Sequence, residues 1–172
     1  MSIRLALSPL LTLALALTAS LVASAQDAAP MYAAGGRIVP FTLSDQHGEP
    51  GSVDDQTRIL LFAADMDGGD LVAEALGGDA SLQDLAAFGA VFVSDIHRMP
   101  TLIVRLFALP SMRKRPYRML LDREPGPTAR LPRKEGSVTI LRLDALAVES
   151  VIFAADAPSV VAALRPEAEP TP

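Results

Sequence analysis

Three continuous apolar runs constrain this chain most: residues 58–64 (RILLFAA), 90–94 (AVFVS) and 117–121 (YRMLL). A strand covered on both faces reads as such a run rather than as an alternation. The stretches between them carry helix signals. Residues 70–76 (DLVAEAL) open on Asp70, an N-cap type residue, and end at Gly77-Gly78. Residues 81–88 (SLQDLAAF) open on Ser81 followed by Asp84, a variant of the capping box. Residues 100–109 place Pro100 at a first turn, with Leu102, Ile103, Leu106 and Phe107 at helical spacing behind it. Buried strands joined by helices predict a parallel core with right-handed crossovers.

Flanking segments complete the pattern. Residues 38–43 predict a short strand and residues 44–50 (SDQHGEP) a polar turn. Residues 137–143 and 147–153 read as two strands, and Asp144-Ala145-Leu146 between them is too short for a crossover, so they form an antiparallel hairpin. Asp156 caps a last helix, with Pro158 near its start and Val160, Val161 and Leu164 toward the core. The expected class is α/β, a central mixed sheet with helices on both faces.

The N-terminus reads as an address. Arg4 is a minimal positive region, residues 5–17 are an apolar stretch, and Ala23-Ser24-Ala25 is an A-x-A cleavage site. The apolar stretch falls short of the ~20 residues a membrane span needs. The reading is a signal peptide over residues 1–25 and a mature chain from Gln26, periplasmic or secreted from a bacterium. Residues 26–37 are Ala- and Gly-rich and predict a flexible lead, residues 38–165 the folded domain, and residues 166–172 (PEAEPTP) a disordered tail.

Composition removes several chemistries. There is no cysteine, so thiol-disulfide exchange and thiol-based peroxide reduction are excluded, because the thiolate is the nucleophile in both. A net charge of −5 for the chain as a whole argues against nucleic-acid and anionic-lipid binding. The charge is uneven: eleven acids and one base lie between Asp45 and Asp95, and eight bases and two acids between Arg113 and Lys134. No phosphate-cradling glycine motif is present, so neither a nucleotide nor a flavin is expected and no cofactor is assigned.

Several segments resemble the thioredoxin-like superfamily, in particular its exported peroxiredoxin/TlpA and YtfJ types. Residues 41–48 (FTLSDQHG) resemble the family's opening F-x-L-x-D-x-x-G strand and turn. Residues 59–64 (ILLFAA) resemble the strand leading to the redox motif. Residues 117–122 (YRMLLD) are similar to its P-V-L-L-D strand, and residues 138–144 (VTILRLD) to its T-x-F-L-I-D strand. The resemblance implies a thioredoxin-like domain. It also places the redox pair at Asp67 and Asp70, and puts Gly136 or Ser137 where the family has a cis-proline. It therefore implies a degenerate, non-redox member.

Three clusters are candidates for chemistry. Asp65, Asp67 and Asp70 could collect Ca²⁺, which takes several oxygen ligands, although Asp and Gly at this density also serve turns and helix caps. Asp95 and His97 follow a strand of the parallel core, where ligand sites of such sheets lie, and could form an acid-base pair. Arg113, Lys114, Arg115 and Arg118 could hold an acidic envelope partner or a small anionic ligand, or flank an edge strand. Met99, Met112 and Met119 read as core filler. The leading expectation is a non-redox binding or accessory module, not an enzyme, that makes contact through residues 113–118 and 94–100. The alternatives are an envelope enzyme, either a cofactor-dependent oxidoreductase or a hydrolase using Asp95/His97, and a calcium-binding domain.

Overall fold

The structure is a computed structural model and describes residues 31–165; the signal-peptide and tail expectations lie outside the described residues. Its elements run β1 (Phe41–Asp45), β2 (Pro50–Val53), β3 (Ile59–Ala63), α1 (Met66–Gly77), two 3₁₀ turns (Ala80–Leu82 and Leu85–Phe88) and β4 (Ala90–Asp95). These are followed by α2 (Thr101–Ile103), a π-helical turn (Val104–Ala108), α3 (Leu109–Met112), β5 (Leu120–Asp122), β6 (Val138–Asp144), β7 (Ala147–Ala154) and α4 (Ala157–Leu164).

The strands form one mixed sheet in the order β2-β1-β5-β4-β3-β6-β7. The three apolar runs are its parallel centre: β3 pairs with β4, and β4 with β5. β6 joins β3 antiparallel and β7 closes the expected hairpin. The polar turn is tighter than its sequence suggested. Only Gln46–Glu49 turn, and β2 pairs antiparallel with β1 from Pro50 onward. A proline at the first residue of an edge strand costs no ladder hydrogen bond, which is why that strand escaped the sequence pattern.

Every residue of β3 is buried, and its side chains divide between two cores. Ile59, Leu61 and Ala63 pack with Val72, Ala75 and Leu76 of α1 and with Val160 and Leu164 of α4. Leu60 and Phe62 point to the opposite face, against Tyr32, Ile38, Leu131 and Val148. The helices gather on the first face rather than on both as expected, and non-helical chain closes the second. β3, β4 and β5 step across the sheet in one direction, and right-handed crossovers then stay on one side. Residues from Tyr32 on belong to the packed domain rather than to a flexible lead. Tyr32 is buried, its hydroxyl accepts from Val39 N, and Gly35 N donates to the Val148 carbonyl at 2.8 Å.

Three helical expectations shift. α1 begins at Met66, with Asp65 rather than Asp70 as its N-cap. Residues 81–88 form two 3₁₀ turns, the first capped by Asp79, whose carboxylate accepts from Ser81 N. Residues 101–112 run as one helical rod through α2, the π turn and α3, where Leu109 N bonds the Val104 carbonyl. The widened turn sits just before Pro110, whose ring would meet the Leu106 carbonyl in a regular α-helix. The stripe that predicts this helix is not the face it buries. Val104, Leu109 and Met112 lean on the core, whereas Leu102, Ile103, Leu106 and Phe107 stand in solvent.

Candidate functional site

The carboxyl ends of β3, β4 and β5 meet under one connection, residues 123–137. Asp95 and Asp122, the last residues of β4 and β5, are register partners in the parallel ladder. The Asp95 side chain is 2% exposed. One of its oxygens takes the His97 Nδ1 at 2.5 Å and the His97 backbone N at 3.1 Å; the other takes the Arg133 guanidinium at 2.5 Å. Burial alone would raise the Asp95 pKa. The bonds from Arg133 and His97 outweigh burial and hold the carboxyl below its ordinary range.

Arg133 extends the cluster. It donates to the Thr128 carbonyl and hydroxyl at 3.1 and 3.0 Å and lies over the Phe62 ring. The Thr128 hydroxyl donates in turn to Asp122 Oδ2 at 2.6 Å. Asp122 is 1% exposed, and its Oδ1 has no hydrogen-bond partner among the described residues. The sequence paired Asp95 with His97, and the two side chains touch; it did not join Arg133, Thr128 or Asp122 to them, because nothing local links residues that only the 123–137 connection brings together.

Asp95 and His97 thus touch, and a third polar group, Arg133, converges on them. The carboxylate holds Nδ1, and Nε2 has no hydrogen-bond partner among the described residues. No hydroxyl of a described residue bonds His97, so the pair has no attached nucleophile. A groove of about 570 Å³ lies elsewhere, lined by Gly51, Ser52, Leu85, Phe92 and Arg118 around the amino end of β4.

The acidic triplet does not assemble. Both oxygens of Asp65 accept from backbone N–H groups, Gly68 at 2.8 Å and Gly136 at 3.0 Å, while Asp67 and Asp70 are exposed on α1. Among the described residues no three acidic, imidazole or thiol side chains are placed to hold a metal ion. A Cys-x-x-Cys pair gains thiolate character from a helix N-terminus. The residues at that spacing around the start of α1 are Asp65 and Gly68, two residues earlier than Asp67 and Asp70. Gly68 leaves no room for a side chain, because a Cβ there would sit 2.8 Å from the Ser137 carbonyl oxygen.

The basic cluster divides by role. Arg113 donates to the Gln46 carbonyl at 2.9 Å. Arg118 pairs with Asp45 at 2.9 Å and donates to the Pro50 carbonyl. Gln46 is buried, donating to the Tyr117 carbonyl and accepting from Met119 N. Arg113, Arg118 and Gln46 therefore pin the β1–β2 turn to the chain entering β5. Burial would raise the Asp45 pKa; the N–H groups of His47 and Glu49, with Arg118, reverse this and lower it. Lys114 and Arg115 stay exposed and make no ion pair among the described residues.

No family model matches this sequence, and no curated protein matches it. Solved structures do. AhpC of Mycobacterium tuberculosis superposes with a TM-score of 0.51 at 12% identity, over 78% of this chain and 92% of that one. The thioredoxin domain of a thiol-disulfide oxidoreductase from Bacteroides vulgatus gives 0.50 at 10% identity, over 76% and 96%.

The fold is thioredoxin-like.

At such identities the likeness speaks for the architecture alone. Within the thioredoxin-like frame this domain is cysteine-free, and the start of α1 is tied to the chain before β6 by a carboxylate instead of presenting a thiol. Among the described residues no helix is long and apolar enough to cross a membrane.

Proposed function

We propose that this protein is an exported, non-redox thioredoxin-like module that binds in the bacterial envelope, in the periplasm or outside, and is not an enzyme. The observation that carries the reading is the solvent-facing side of residues 101–112. Leu102, Leu106 and Phe107 are 66%, 58% and 65% exposed in a domain whose other large apolar side chains are mostly buried. A contiguous exposed apolar face marks an interaction site more often than an accident of the surface. Its two ends adjoin the 94–100 and 113–118 segments that the sequence nominated for contact. The commitment of Asp65 to backbone N–H groups supports the non-redox part, and the signal-peptide pattern of residues 1–25 supports export.

Cross-linking tests the reading. A photoreactive phenylalanine analogue at Phe107, irradiated in an envelope fraction, forms adducts that the same group at exposed Glu149 does not. Equal yields at both positions would remove the reading.

A second reading, an envelope hydrolase, draws on the His97 Nε2 beside Asp95, which has no hydrogen-bond partner among the described residues. Its test is turnover of activated esters by the wild type and by His97→Ala; equal background rates would end it.

A further inference from the structure

We infer that the 98–118 segment is an interfacial anchor whose occupant is an anionic lipid surface. This rests on the contact-surface reading above and names what the surface meets.

The argument starts from charge. Between Arg98 and Leu121 the chain carries Arg98, Arg105, Arg113, Lys114, Arg115 and Arg118 and not one acid. The rest of the protein is acidic enough to bring the total to −5. Among the described residues this is the one strongly basic stretch that also exposes several large apolar side chains. Phe and Leu on one side of a helix, with Arg and Lys around it, form the pattern of helices that lie in the headgroup region, where the apolar face sinks below the phosphates and the cations pair with them. The apolar side chains here stand in solvent, so they suit insertion into a soft interface.

The distribution also sets orientation. Arg113 and Arg118 are tied to the β1–β2 turn, which leaves Lys114 and Arg115 as exposed cations beside α3 with no ion pair among the described residues. The exposed apolar face and these cations would meet an anionic bilayer together, with residues 98–118 downward. No element needs to span the membrane, and binding of this kind is reversible.

Flotation with vesicles is the test, using the chain from Gln26, which contains the whole compact unit that begins at Met31. The expected result is binding to phosphatidylcholine vesicles containing phosphatidylglycerol, little binding to phosphatidylcholine alone, and loss of binding as salt rises. Lys114→Gln with Arg115→Gln is expected to weaken partitioning about 30-fold, since a cation near an anionic surface contributes roughly a factor of five. Leu106→Gln with Phe107→Gln should abolish binding while the melting temperature holds.

Absence of binding to both vesicle types, or binding indifferent to these variants, overturns the inference. In either case the Phe107 cross-link separates the two levels. Adducts to a protein at that position, or a dimer in sedimentation that Leu106→Gln with Phe107→Gln dissolves, leave the contact surface standing with a different occupant. No adduct of any kind overturns both.

Discussion

The carboxylate of Asp65 reaches the backbone N–H of Gly136, 71 residues further along the chain, at 3.0 Å. Its other oxygen caps α1 through Gly68 N. One side chain therefore fixes where the helix starts and where the chain re-enters the sheet as β6. Asp65→Ala removes a cap worth about 1 kcal/mol and a second hydrogen bond worth about 1 kcal/mol. Urea unfolding should show both losses. Asp67→Ala and Asp70→Ala, at exposed sites without these bonds, should stay within about 0.5 kcal/mol of wild type. Equal effects at all three positions would contradict this account.

The neighbouring glycines should respond in opposite directions. A Cβ at Gly68 meets the Ser137 carbonyl oxygen at 2.8 Å, whereas nothing lies within 4 Å of one at Gly69. Gly68→Ala should destabilise by about 1–2 kcal/mol because backbone must move. Gly69→Ala should stabilise by about 0.5–1 kcal/mol through helix propensity. Thermal melts of the two variants, run side by side, decide it.

Arg133 holds a buried carboxylate in place. Arg133→Ala leaves one buried Asp95 oxygen without its cation and should cost about 3 kcal/mol. The pH dependence follows from the lowered Asp95 pKa. Because the folded value lies below the unfolded one, the carboxylate's contribution is complete above about pH 4 and is lost as pH falls toward the folded value. Denaturation measured from pH 7 down to pH 3 should therefore show an acid-side loss that Asp95→Asn flattens. An unchanged acid slope in that variant would mean that other carboxylates carry it.

The β6–β7 turn stores strain. Ala145 and Leu146 sit at φ +43° and +73°, where side chains are disfavoured. Two-residue hairpin turns of this hand demand such angles. Leu146 is held by burial and by its carbonyl's bond from Ile38 N, but exposed Ala145 has no such compensation. Ala145→Gly should raise stability by about 1 kcal/mol, measured as a higher urea midpoint at unchanged slope.

Core and surface of the 101–112 rod should separate cleanly. Leu106→Gln and Phe107→Gln alter exposed side chains and should leave stability within about 0.5 kcal/mol. Leu76→Ala on buried α1 should lose about 3 kcal/mol. Substantial unfolding by the Leu106 or Phe107 change would show that this face is covered within the chain itself.

Legibility in the sequence tracked locality. β3, β4, the β6–β7 hairpin and α4 were readable because their signals are continuous apolar runs, a short connection and a cap followed by proline. The start of α1 was misplaced by four residues because Asp65, Asp67 and Asp70 are all acceptable caps, and the choice fell to the one whose second oxygen could reach Gly136. In the 101–112 rod, periodicity found the helix but not its buried side, since both Val104/Leu109/Met112 and Leu102/Ile103/Leu106/Phe107 are apolar. The Asp95–His97 contact was visible at a spacing of two residues; the Arg133, Thr128 and Asp122 partners were not.

The sequence by itself determined the α/β pattern, the exclusion of thiol chemistry and the segregation of charge, because each follows from residue type and local order. Only the tertiary structure decided which carboxylate serves the fold, which cations are committed to the β1–β2 turn and which apolar face stays in water. Those outcomes depend on contacts between residues dozens of positions apart, where hydrogen bonds and close packing select among locally equivalent choices.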